Sequence, residues 1–322
     1  MSVEEVDVNL ERVKVIADLF CELGLDKIVK FDMLEPEYQA LKAIRERGVK
    51  PEFLGLISIC TGIIDFQLGH GGADNFWATL ARVASGFDNL NNLKQVEFLI
   101  KVFLNEPINV RSLRIKVARI WKIFNSGFGK WFVENYERIR ENPVLLWKRL
   151  SETIESRMER KTMVFAMKAF DISHVICFGD YAKFPWDIPI PVDFHVKNVT
   201  VSAGLLEHYG SDESFRKAWI LVLKSLKERV GGNISLLRLD SLVWQIGKIM
   251  YACGYDRNSS AERIQRYMME KIGVDVKLAT RFASELTRFI EKVIVTSAYG
   301  LSIRRRTALY GLRDPGGVCE VC

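Results

Sequence analysis

An all-α fold is the architecture this 322-residue chain predicts, and three observations carry the prediction. Apolar residues recur at helical intervals, as in Val96, Leu99, Val102 and Phe103, and again in Leu278, Phe282, Leu286, Phe289, Ile290 and Val293. Helix breakers fall between such segments: Gly69-His70-Gly71-Gly72, Glu141-Asn142-Pro143, Pro185 to Pro191, Gly231-Gly232-Asn233 and Pro315-Gly316-Gly317. Strand-like alternation is scarce. The spacing therefore predicts about a dozen or more short helices, with no internal repeat and no low-complexity linker.

The first residues, MSVEEVDVNLERVKVIADLF, open acidic and amphipathic, unlike a signal peptide with its basic start and apolar core. No apolar run approaches the length of a bilayer span. Hydrophobic content of 48% and charged content of 27% fit a globular, intracellular protein. Of six cysteines (Cys21, Cys60, Cys177, Cys253, Cys319 and Cys322) only the last two are close, half of what a four-cysteine metal site needs. They read as free thiols of a reducing compartment. His70, His174, His195 and His208 lack zinc-type spacing, so neither a metal nor another cofactor is expected.

A net charge of +6 mildly favours a polyanionic partner. Arg111, Arg114, Lys116, Arg119, Lys122 and Lys130 share a stretch with Trp121 and Phe124, which fits either a solvated helix face or a nucleic-acid surface. Arg304, Arg305, Arg306 and Arg313 flank Tyr310 in a second cluster.

Chemistry concentrates in two segments. KTMVFAMK, residues 161–168, opens an apolar helix on Lys161, where lost hydration prepares an amine to act as a nucleophile. WDIPIPVDFHV, residues 186–196, carries Asp193 after Pro189 and Pro191, whose rings restrict the backbone before the carboxylate. Such an acid can orient an amine and take up a proton. Spacing alone favours a structural Lys161–Asp193 ion pair over that chemistry.

A helix opening on lysine, followed by a loop ending in Ile-Pro-Ile-Pro-Val-Asp, resembles the helix-hairpin-helix DNA glycosylases, and within them the archaeal 8-oxoguanine DNA glycosylase (archaeal GO glycosylase) family. The resemblance covers roughly residues 30 to 280. It implies a two-lobed helical fold and a bifunctional glycosylase/lyase acting on DNA that contains oxidised guanine. Lys161 and Asp193 would be the catalytic pair, in the cleft between the lobes of a body spanning residues 1–279. Residues 280–322 would add a helix and a basic tail ending in Cys319-x-x-Cys322. The setting implied is the nucleoid in a prokaryotic cytoplasm, with the protein working as a monomer.

An enzyme that detaches a base from its sugar must take the nucleotide out of the stack and hold it in a pocket. By resemblance, Phe165 and Trp244 would be stacking rings, Gln39 and Asp240 would bond the base edge, Pro191 would offer a carbonyl, and Trp77 would complete the pocket. His195 would approach a backbone phosphate. The glycine-rich hairpin that usually grips phosphate is missing before Lys161, leaving Arg157, Arg160 and Lys168 as phosphate candidates by charge alone. Singly, these residues also read as core aromatics, helix bridges and caps. Two alternatives remain open at this point: action on another lesion or on abasic sites, and a non-catalytic helical DNA-binding protein.

Overall fold

A computed structural model describes residues 7–230 and 234–293. Two helices open this part, α1 (Leu10–Leu23) and α2 (Leu25–Met33). Nine follow: α3 (Pro36–Glu46), α4 (Pro51–Gly62), α5 (Gly72–Ser85), α6 (Leu93–Leu104), α7 (Leu113–Asn125), α8 (Phe128–Glu134), α9 (Tyr136–Glu141), α10 (Val144–Ile154) and α11 (Lys161–Phe178). Five more close it: α12 (Phe194–Ser202), α13 (Asp212–Val230), α14 (Leu236–Ala252), α15 (Arg257–Tyr267) and α16 (Val276–Leu286). No strand occurs among the described residues, only one isolated bridge between Val8 and Leu206. The all-α prediction holds.

Local chemistry sets several boundaries. Pro36 and Pro51 occupy first helical turns, where a missing N–H costs nothing. Asn9, Asn92, Asp193, Asp256 and Asp275 accept hydrogen bonds from the free backbone N–H groups of the helices they cap.

Burial divides the helices into two cores. One is built from residues between Ala40 and Ile188, with Leu237 added. The other joins the stretch Val13–Phe31 to residues from Ile190 to Val293. The chain thus crosses between lobes twice, once between Phe31 and Ala40 and once between Ile188 and Ile190. Both crossings border the site described below. Helix α16 runs through residue 280 and buries Phe282, Ala283 and Leu286 in the second core, so the described residues past 279 are continuous with that lobe. The tail arginines, Tyr310, Cys319 and Cys322 lie outside the described residues, as does the Gly231–Asn233 breaker.

Two close helix crossings hold the site-bearing elements. A Cβ added to Gly62 of α4 would stand 2.8 Å from Ala166 Cα of α11, and one on Gly247 of α14 would stand 2.7 Å from His195 Cβ of α12. Only glycine permits these backbones to approach so nearly. Across the lobes, Arg238 of α14 donates to Asp32 of α2 at 2.6 Å and to Asp171 of α11 at 2.8 Å. No helix among the described residues is long and apolar enough to cross a membrane.

Candidate active site

The cleft between the lobes holds a small cavity of about 30 Å³. Helix α11 supplies one wall. Lys161, Phe165 and Lys168 stand at i, i+4 and i+7, so they share a face and all line the cavity. The second lobe supplies Pro191 and Asp193 from the crossing loop, and Asp240 and Trp244 one turn apart on α14. Glu35, Glu37 and Asp65 complete the lining with Ala73.

Lys161 is half-buried, at the first position of α11, where the cavity meets a wider groove. Its amine forms no ion pair with Asp193; it lies over the Phe165 ring, 5.7 Å from the centroid. The structural ion pair allowed by the sequence is therefore not what the fold builds. Asp193 instead caps α12, its Oδ1 accepting from the Val196 N–H at 2.8 Å. That bond fixes the carboxylate at the cavity wall and leaves its second oxygen uncommitted to the cap.

Lys168 departs most from expectation. Its side chain is 0% exposed, and its amine lies 2.8 Å from Asp240, 3.3 Å from Glu37 and 3.5 Å from Glu35. A buried ammonium enclosed by three carboxyls cannot reach a DNA backbone, so the phosphate role expected for Lys168 is corrected to one inside the cavity. Burial disfavours its charge, but the acids, Asp240 first, outweigh that and hold its pKa well above the ordinary lysine value. Burial raises Glu35 well above the ordinary carboxylate range and pushes Asp240 up to about 6.

Gln39 is not brought to the cavity. It is exposed, and its amide donates to Met33 O at 2.6 Å. Its neighbour Glu37 faces inward instead. The two residues are about 200° apart around the helix at 3.6 residues per turn, so they cannot share a face. Trp77 is also displaced from its expected place. It is buried in the first core, where its indole N–H donates to Asp65 Oδ2 at 3.0 Å. It supports the cavity from behind. Burial pushes Asp65 up to about 6, with the Lys161 charge opposing the rise.

His195 packs edge-on against Trp244 with ring centroids 5.6 Å apart, and its Nδ1 is buried without a hydrogen-bond partner. Burial lowers its pKa below the ordinary imidazole value, and the half-buried ring stands behind the Trp244 wall. Arg157 and Arg160 do face the groove beside Lys161, together with Arg119, Lys122 and Arg216. Within the basic stretch, Lys116 is buried against Asn109, Arg119 bonds Ile63 O and Thr162, and Lys122 pairs with Glu155. Arg111, Arg114 and Lys130 remain exposed, and Trp121 is 63% exposed.

Sequence reasoning missed Glu35, Glu37 and Asp65. For Glu37 a signal existed: Ala40, Leu41 and Ile44 define the inward stripe of α3, and stepping back three or four positions lands on residue 37. Asp65, directly after the apolar Ile63-Ile64, offered only a buried-looking acid. No group of three or more His, Cys, Asp or Glu among the described residues has the arrangement to hold a metal ion.

Two helical lobes thus close on a lysine, a capping carboxylate and two rings. Residues 17–281 match the AGOG family model, described as N-glycosylase/DNA lyase, and the chain belongs to that family. Among relatives named N-glycosylase/DNA lyase, the Methanococcus maripaludis protein is 25% identical over 246 residues, covering 74% of this chain and 88% of that protein. The Pyrobaculum aerophilum protein is 24% identical, covering 74% and 86%. The fold matches the crystal structure of the 8-oxoguanosine complex of Pa-AGOG, the 8-oxoguanine DNA glycosylase of Pyrobaculum aerophilum. That match has a TM-score of 0.61 and 20% identity, over 84% of this chain and 96% of that one.

Proposed function

We propose that the protein excises 8-oxoguanine from DNA with Lys161 as the nucleophile and Asp193 as its acid–base partner. The observation that carries this reading is the meeting of Lys161, Phe165, Asp193 and Trp244, drawn from three separate elements, around one cavity. The uncharged Lys161 amine attacks the sugar C1′. The C1′–N bond breaks, and its electron pair leaves with the base, which takes up a proton. Asp193 receives the proton shed by the attacking nitrogen and stabilises positive charge developing on the sugar. The nitrogen lone pair then breaks the C1′–O4′ bond, O4′ takes the proton back from Asp193, and a protonated imine joins Lys161 to C1′. Loss of a C2′ proton then expels the 3′ phosphate by β-elimination, nicking the strand.

Phe165 and Trp244 supply two ring faces for the extruded base, and stacking of this kind is tolerant of base identity. The groove carrying Arg157, Arg160, Lys122 and Arg216 leads to Lys161 and offers a path for the phosphate backbone. Single-turnover assays of Asp193→Asn on an 8-oxoguanine duplex test the assignment. Strand cleavage should fall at least ~100-fold, in line with loss of a general base, while DNA affinity stays within a few-fold of wild type. Undiminished cleavage would remove Asp193 from the mechanism.

A further inference from the structure

We propose that Asp65 is the counter-ion of the imine formed on Lys161. Its carboxylate keeps the imine nitrogen protonated and so sustains the strand-nicking step, a role that rests on Lys161 being the nucleophile.

Two contacts bring Asp65 to the start of α11. Arg119 of α7 donates from Nη1 to Ile63 O at 2.6 Å and to Thr162 Oγ1 at 3.1 Å. That clamps the turn after α4 to the residue next to Lys161. Farther along α11, the Ala166 Cα lies only 2.8 Å from where a Gly62 Cβ would stand. Asp65, 5% exposed, therefore lines the cavity together with Lys161. Trp77 of α5 donates to its Oδ2 at 3.0 Å, which fixes the carboxyl and leaves Oδ1 uncommitted to that bond.

The surroundings of Asp65 set its charge. Burial and Glu37 of α3 favour the neutral acid, while Lys161, Trp77 and the buried Lys116 of α7 favour the carboxylate. The balance falls at about 6, so Asp65 is ionised at neutral pH. Lys116 is itself lowered to about 8 by its burial, with Asp65 opposing the fall.

Strand nicking needs a charged imine. The electron pair of the breaking C2′–H bond flows toward the imine nitrogen and then expels the 3′ phosphate. The nitrogen draws that pair strongly only while it is protonated. Other acids of the cavity are otherwise engaged. Asp240, Glu35 and Glu37 surround Lys168, and Asp193 takes and returns a proton while the imine forms. Asp65 is the remaining acid of the cavity lining, and a nearby opposite charge favours the protonated form of a basic nitrogen.

Asp65→Asn tests the role, because the amide oxygen still accepts from Trp77 but carries no charge. In single-turnover reactions on an 8-oxoguanine duplex, strands cut directly report nicking, and strands cut after hot alkali report base release. Their ratio does not depend on the folded fraction of the preparation. The variant's ratio should match wild type near about pH 6.5 and fall about tenfold below it by about pH 8.5, as a one-unit drop in the imine pKa requires. A ratio that follows wild type across this range overturns the role of Asp65 and leaves the glycosylase reading intact. A wild-type protein that releases base without a borohydride-trapped adduct overturns the Lys161 reading, and this role with it. Should Asp65→Asn not fold, Asp65→Ser removes the same charge with less volume, and the same ratio decides.

Discussion

Two buried charge clusters span the lobes, and they differ in how completely they are satisfied. In the first, Arg238 binds Asp32 and Asp171 while Tyr181 and Ser241 also donate to Asp32 and the Ala182 N–H donates to Asp171. Every carboxylate oxygen there has a donor; only the guanidinium Nε lacks a partner. In the second, Lys168 faces Asp240, Glu35 and Glu37, and one acid oxygen is left bare toward a cavity. Both clusters place one cation among two or three acids. The closed one joins α2, α11 and α14 rigidly. The open one holds an acid oxygen without a hydrogen-bond donor at the cavity wall.

The largest effect on stability should come from breaking the closed cluster. Arg238→Met strands Asp32 and Asp171 without a counter-charge, and unfolding in denaturant should register a loss of about 3–5 kcal/mol. Lys168→Met should cost less, about 1–3 kcal/mol, because the acids it leaves border a cavity and can take up protons. Its effect on excision should be the larger of the two. Equal stability losses would erase the distinction between the clusters.

Acidity gives a subtler test. Burial raises Asp65 from an ordinary carboxyl value to about 6, so between roughly pH 4 and 6 the folded protein keeps a proton that the unfolded chain has released. The folded state then binds more protons, and this group's contribution to stability declines as pH rises through that window. Asp65→Asn should flatten the slope, read from unfolding midpoints at half-unit pH steps; an unaltered slope would mean that Asp65 ionises normally. The smallest effect belongs to Lys248, which pairs with Asp74 near the Trp244 face but is only partly buried. Lys248→Ala should cost less than about 1 kcal/mol.

Much of this arrangement was legible in the sequence, because helical spacing reports faces. Lys161 and Phe165, and Asp240 and Trp244, are each one turn apart, and the fold sets both pairs on one cavity. The same rule puts Lys168 on the Lys161 face, which a phosphate role assigned by charge alone overlooked. On α3 a shift of two residues, from Glu37 to Gln39, reversed inside and outside. Asp65 reaches the cavity, with Trp77 fixing it from behind, only because α4 packs against α11 and α5 against α3, and no local spacing records that packing.

The central claim is that Lys161 is the nucleophile, and borohydride trapping on an 8-oxoguanine duplex tests it most directly. Wild-type protein should yield a covalent protein–DNA adduct, and Lys161→Gln should yield none while still binding the duplex. An adduct of wild-type intensity from Lys161→Gln would show that another amine performs the attack.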